Sequence, residues 1–133
     1  MEKTRTTRQK QLITDILRAS PTPMTAAAVF EQASAACSTL AKSTVYRNLE
    51  AMVRRGELER GFLETGEGFF YPAGREHHHY MICSDCHKMQ DLKSCPMEHL
   101  ERDMTSCDGF IPRKHVVQVY GYCRECATKH TDK

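Results

Sequence analysis

Leu12, Ile13, Ile16 and Leu17 recur at the three- and four-residue spacing of a helix face. The pattern stops before Ala19-Ser20-Pro21-Thr22-Pro23, because proline lacks the N–H and the free φ that a helix interior needs. A second helix is predicted from Thr25, whose hydroxyl suits an N-cap, through Ala26, Ala27, Ala28, Val29, Phe30 and Ala33, ending as Cys37-Ser38-Thr39 loosens the pattern. A third begins near Ala41-Lys42-Ser43 with Ser43 as its expected cap, and Val45, Leu49, Met52 and Val53 form an inward stripe that Gly56 ends. Leu58 to Leu63 and Gly68 to Tyr71 are strand candidates joined by Glu64-Thr65-Gly66-Glu67, a glycine-bearing hairpin turn.

Three helices followed by a hairpin is the order of a winged helix-turn-helix. Pro72-Ala73-Gly74 then interrupts the pattern, and beyond residue 76 the composition changes: all the histidines and six of the seven cysteines lie there. The expected organisation is therefore an α+β chain, with a winged-helix DNA-binding domain at residues 1–74 and an α/β dimerisation and metal-binding domain at 75–133. In the second half, Tyr80-Met81-Ile82, Met89-Gln90-Asp91-Leu92 and Val116 to Tyr120 read as strands. Met97, Leu100 and Met104 mark the inner face of a helix expected from about Pro96 to Ser106.

A chain of 133 residues divided in two gives each half a thin core, and small halves usually need a staple. No run approaches the roughly 18 apolar residues of a membrane span, and Met1-Glu2-Lys3-Thr4-Arg5 lacks a hydrophobic signal segment, so the expected location is cytoplasmic with no membrane partner. An odd count of seven cysteines in a reducing compartment favours metal binding over a disulfide framework. The net charge of +2 is uninformative as a total. Its distribution says more: Lys3, Arg5, Arg8, Lys10 and Arg18 outnumber Glu2 and Asp15, forming either an arm for phosphates or an ordinary solvated helix face.

The strongest chemical signal is Cys83-x-x-Cys86 matched with Cys123-x-x-Cys126, each pair following an apolar strand. Four thiolates fill the tetrahedral shell of Zn²⁺ and leave no open position, as in a structural site. The 36 residues between the pairs exceed a compact zinc ribbon, so the ion is expected to clasp a folded unit. Two disulfide hairpins or a redox pair is the competing account, disfavoured by the two matched knuckles. Cys37, Cys95 and Cys107 lack such spacing and are taken as small packing residues. His77-His78-His79 precedes a strand, and alternation puts His77 and His79 on one side, where two imidazoles suit Zn²⁺, Fe²⁺ or Mn²⁺. In the third helix, Ser43, Thr44, Tyr46 and Arg47 surround the Val45/Leu49 stripe. Hydroxyls at a helix start can bond phosphates, Arg47 can reach guanine edges and Tyr46 can touch thymine methyls; a merely solvated face is the plainer alternative.

Thr44-Val45-Tyr46-Arg47, the histidine cluster six residues ahead of the first Cys-x-x-Cys, and Gly121-Tyr122-Cys123 together resemble the ferric uptake regulator family, over nearly the whole chain from Arg5-Thr6-Thr7-Arg8-Gln9-Lys10 onward. The resemblance implies a homodimeric, metal-activated repressor that binds palindromic double-stranded DNA operators and controls metal uptake genes, with the zinc uptake branch slightly favoured. It assigns DNA contact to Tyr46 and Arg47 and minor-groove contact to the basic arm, including Arg5 and Lys10. It assigns a regulatory site for Zn²⁺, Fe²⁺ or Mn²⁺ to His77, His79, Glu98 and His115, whose occupation is expected to lock the two halves in one orientation. At a second regulatory site of the family the chain departs: His78 remains, but Pro23 and Tyr80 stand where histidines are expected, which also weakens a peroxide-sensor reading. A zinc-stapled enzyme, either hydrolase or thiol peroxidase, finds no zincin motif or P-loop, and a closed thiolate shell has no place for substrate. A zinc-stapled protein adaptor is the third possibility, and it predicts no salt-dependent affinity for duplex DNA.

Overall fold

The computed structural model describes residues 5–74 and 79–130, with side chains from residue 7 onward. Its elements run α1 (Arg5–Ala19), β1 (Met24–Thr25), α2 (Ala26–Ala36), α3 (Lys42–Arg54), β2 (Leu58–Phe62), β3 (Gly68–Pro72), β4 (His79–Cys83), β5 (Met89–Leu92), α4 (Glu98–Asp108), β6 (Gln118–Gly121) and α5 (Arg124–Ala127), closed by a 3₁₀ turn at Thr128–His130. The chain divides into two compact units, Met1–Arg75 and Glu76–Lys133.

In the first unit the apolar stripes of the three helices meet. Ile13 and Leu17 of α1, Val29 and Ala33 of α2, and Val45, Leu49 and Met52 of α3 are buried in one cluster with Met24, Leu58 and Phe70. Each fully buried aliphatic side chain contributes about 1.5–3 kcal/mol relative to exposure. Thr25 caps α2 as its sequence suggests, its hydroxyl accepting the Ala28 N–H at 3.2 Å. Met24 and Thr25 also form a short strand, unforeseen in the pattern, on the far side of β3, giving an antiparallel sheet in the order β1-β3-β2.

The expectation for the start of α3 needs correcting. Ala41, in extended conformation, is the N-cap, with its carbonyl accepting from Thr44 and Val45; no side-chain cap bond forms. Ser43 therefore lies inside the first turn, where it is exposed. In the hairpin, Gly66 takes the positive φ that the turn requires. Gly61 pairs with Phe69 across the β2–β3 ladder, and a Cβ there would run into the buried Phe69 ring. Gly61→Ala is expected to destabilise this unit by about 1–3 kcal/mol, the usual cost of overpacking. The check is a lowered urea midpoint at unchanged slope; an unaltered midpoint would mean that the ring moves aside without cost.

The second unit holds a sheet in the order β5-β4-β6, with β5 antiparallel and β6 parallel to the central strand. The register sets Tyr80 against Gln118, Met81 against Val119 and Cys83 against Gly121. Strand β6 is shorter than the apolar run suggested, since Val116 and Val117 precede the pairing and Val116 stays exposed. The helix is present, ending at Gly109 in the left-handed region with its N–H on the Thr105 carbonyl. The inward face expected for Met97, Leu100 and Met104 is met in part: Met97 and Met104 are half-buried, no residue of α4 is fully buried, and Leu100 is 47% exposed. Helical periodicity reports an apolar face but not how deeply it is covered. Among the described residues no helix is long and apolar enough to cross a membrane.

Candidate metal centres and nucleic-acid face

Parallel pairing of β4 and β6 brings the C-terminal ends of both strands to the same end of the sheet, and each strand leads into a cysteine pair. The first knuckle is a tight turn in which the His87 N–H bonds the Cys83 carbonyl at 3.0 Å, with His87 itself in the left-handed region that histidine tolerates better than most residues. The second opens α5, whose extended N-cap is Cys123. The four sulfurs of Cys83, Cys86, Cys123 and Cys126 lie within 4.8 Å of one another. The Cys86 and Cys123 sulfurs are 3.8 Å apart. Four sulfurs at about 2.3 Å from a tetrahedral Zn²⁺ would stand roughly 3.8 Å apart, so the donor set fits that ion.

Backbone groups add to the fit. The N–H groups of Cys123 and Cys86 point at the Cys83 sulfur at 3.4 and 3.5 Å. These two bonds, Cys123 first, pull the Cys83 thiol down to about 6 against the effect of burial. Cys126 moves the other way, pushed up to about 12 by its bond to the Cys123 thiol and by burial. Cys86 also rises, because its bonds to the Cys83 and Cys123 thiols, together with burial, outweigh the lowering by the Lys88 N–H. Four crowded sulfurs cannot all ionise by themselves; a dication among them would replace the remaining protons. The knuckles are braced from the C-terminus, where His130 stacks on Tyr122 with ring centroids 3.7 Å apart and bonds Asp85 at 2.8 Å.

A second cluster forms from His79, Cys95 and His115. His79, at the head of β4, is buried, and its Nε2 lies 3.0 Å from Nε2 of His115. The Cys95 sulfur lies 3.2 Å from that same His115 nitrogen. The other nitrogen of His115, Nδ1, bonds the Glu101 carboxylate at 2.6 Å. Of the residues expected at a regulatory site, His79 and His115 are thus brought together, whereas Glu98 sits exposed in the first turn of α4 and is not among the converging donors. Glu101, one turn further along the same helix, is the carboxylate that reaches His115. His77, with Glu76 and His78, lies outside the described residues. Cys95, read from its isolated spacing as a packing residue, is instead part of this cluster. Its one sequence signal is that it is one of two cysteines in the histidine-rich half beyond the four of the knuckles, and the one that falls just ahead of a helix. Cys37 does pack against the first unit's core, and Cys107 is exposed. Tyr80 is buried in β4.

On the first unit, α3 divides cleanly. Val45, Leu49 and Met52 are buried while Ser43, Tyr46 and Arg47 are exposed. The guanidinium of Arg47 donates to the Thr44 hydroxyl at 3.3 Å, which holds both polar groups on one turn. Arg60 of β2 bonds Glu50 and so ties the hairpin to α3. Lys10 is ion-paired with Glu57 at 3.0 Å, an exposed contact that joins α1 to the entry of β2 and lowers the Glu57 carboxyl below its usual range. The Arg5 side chain lies outside the described residues.

A winged-helix unit beside a unit carrying two clusters of metal-type donors is the build of the winged-helix metalloregulators. Residues 2–120 match the model of the Ferric uptake regulator family, and the chain belongs to that family of metal-responsive transcription regulators. It is 27% identical over 88 residues to the ferric uptake regulation protein of Cupriavidus metallidurans, a match covering 66% of this chain and 62% of that protein's length. The fold is similar to that of the Helicobacter pylori ferric uptake regulator, described as having three functional metal binding sites, with a TM-score of 0.80 at 17% identity over 96% of this chain and 83% of that one. It is also similar to the Francisella tularensis ferric uptake regulator solved with iron, with a TM-score of 0.79 at 23% identity over 96% and 95% of the two chains.

Proposed function

We propose that this chain is a homodimeric, metal-activated repressor of the cytoplasm that binds palindromic operator DNA and controls metal uptake genes. Residues 1–74 act as the DNA-binding domain and 75–133 as the dimerisation and metal-binding domain. The observation that carries this is the division of α3: an apolar face locked into the core leaves Ser43, Tyr46 and Arg47 exposed, with Thr44 half-buried beside them, on a helix braced by a wing. A helix start without a side-chain cap has N–H groups to offer a phosphate, and an arginine and a tyrosine beyond it can enter a major groove. Lys10 and the arm before it supply positive charge for the backbone, with Lys10 exchanging Glu57 for phosphate at little cost, since exposed ion pairs contribute at most about 1 kcal/mol.

The thiolate cluster holds a structural Zn²⁺, and His79 and His115 belong to the exchangeable regulatory site. Dimerisation is supported by apolar groups that one chain leaves uncovered: Leu100 on α4, and Met81 with Val119, register neighbours on one sheet face. Among the described residues strand β6 is an edge of its sheet, the position at which a second copy can add a strand.

The test is selection from random duplex DNA followed by titration of Zn²⁺, Fe²⁺ and Mn²⁺ at fixed salt. The expected result is a palindromic consensus, affinity that rises only as an ion adds beyond the first zinc, and a logarithmic fall of affinity with salt. Equal affinity of the one-zinc and metal-loaded protein for that consensus would sink the metal-activated mechanism.

A further inference from the structure

Three donors converge in the second cluster. Nδ1 of His115 lies 2.6 Å from the Glu101 carboxylate, so Nε2 is the nitrogen it turns toward the other two. That nitrogen faces Nε2 of His79 at 3.0 Å and the Cys95 sulfur at 3.2 Å. A cation at the centre of the three atoms would be met by a lone pair from each donor. Around a tetrahedral Zn²⁺ at about 2.0–2.1 Å from nitrogen and 2.3 Å from sulfur, the N–N and N–S edges would be roughly 3.4 and 3.6 Å, a few tenths from those observed.

We infer that Cys95 is a thiolate ligand of the regulatory ion, with His79 and His115, and that Glu101 orients His115 from behind rather than binding the ion. This inference rests on the regulator reading for its biological meaning, though not for its chemistry. A carboxylate on the far nitrogen of a metal-bound imidazole fixes its tautomer and raises its basicity, and loss of such a partner typically lowers metal affinity roughly ten- to a hundredfold. The donor set has a consequence for selectivity. Carboxylate and water suit Mn²⁺, whereas a thiolate beside two imidazoles suits Zn²⁺, which also outranks Fe²⁺ and Mn²⁺ in intrinsic affinity. The effector that this site selects is therefore Zn²⁺.

Full-length protein carrying one zinc per monomer is titrated with Co²⁺, with zinc retention checked by elemental analysis at the end. The expected result is a thiolate-to-cobalt charge-transfer band in the near ultraviolet that saturates at one Co²⁺ per monomer and is displaced by equimolar Zn²⁺ but not by excess Mn²⁺. Cys95→Ser, shown by circular dichroism and zinc content to be folded, loses the band and keeps weaker visible transitions from the two histidines. Glu101→Gln keeps the band but needs roughly ten to a hundred times more Co²⁺ to reach it. Absence of a charge-transfer band from the native protein, or an undiminished band in Cys95→Ser, overturns the assignment. Operator binding of the same samples separates the two layers. A Cys95-dependent band with DNA affinity indifferent to the ion supports the ligand and rejects the regulator; ion-dependent DNA binding unchanged in Cys95→Ser does the reverse.

Discussion

A Cys83→Ser protein is expected to be purified without the zinc proposed for the thiolate cluster, with the second unit unfolded and the first intact. The asymmetry comes from where the core lies. The main buried cluster, from Ile13 to Phe70, is confined to the first unit. Among the described residues, the buried positions of the second unit are His79, Tyr80, Ile82, Cys83 and Cys126, and three of those are candidate metal ligands, two of them in the thiolate cluster. A structural zinc contributes on the order of 10 kcal/mol or more of apparent folding free energy in small metal domains, comparable to the whole stability of an ordinary domain. Cys83 is the ligand whose removal matters most, because the N–H groups of both knuckles converge on its sulfur. Hydrogen exchange with elemental analysis reads the result. Protection retained in β4 and β6 without zinc would show that the sheet stands unaided.

The second large effect is on DNA. Arg47→Ala is expected to weaken operator binding by about 1–3 kcal/mol, roughly five- to 150-fold, and to relax base preference at one position in each half-site. Arg47 is exposed and makes one hydrogen bond, to Thr44, so its loss leaves the buried stripe of α3 untouched and stability within about 0.5 kcal/mol of native. Binding to operator and to unrelated duplex is measured across a salt series. An equal loss on both, with a shallower salt slope, would make Arg47 a phosphate contact instead of a base reader.

The helices of the first unit were legible because each buries one face against the others, so periodicity, the Thr25 cap and the proline stops all point the same way. The cap of α3 was not, because Ser43 has the right chemistry two residues too late: Ala41 already holds the extended conformation that ends the loop. Strand β1 escaped notice because two residues carry no period; it exists through pairing with β3, a contact far along the chain. The thiolate cluster was readable from spacing alone, since two short knuckles define their own ligands. The second cluster was only half readable. Its histidines stood out, but Cys95 and Glu101 are joined to His115 by the fold and not by any local motif.

The two clusters also differ in how they tolerate change in chain length. The thiolate clasp is set by the alignment of β4 with β6, and the chain between the knuckles can lengthen at a cost that grows only with the logarithm of its length, about 0.6 kcal/mol per doubling. Cys95, Glu101 and His115 all lie inside that intervening stretch. An insertion between Gly109 and Lys114 would leave the clasp closed while shifting His115 away from Glu101. The two clusters are thus separately heritable: descendants of this chain can retune or lose the second while the donors of the first stay together.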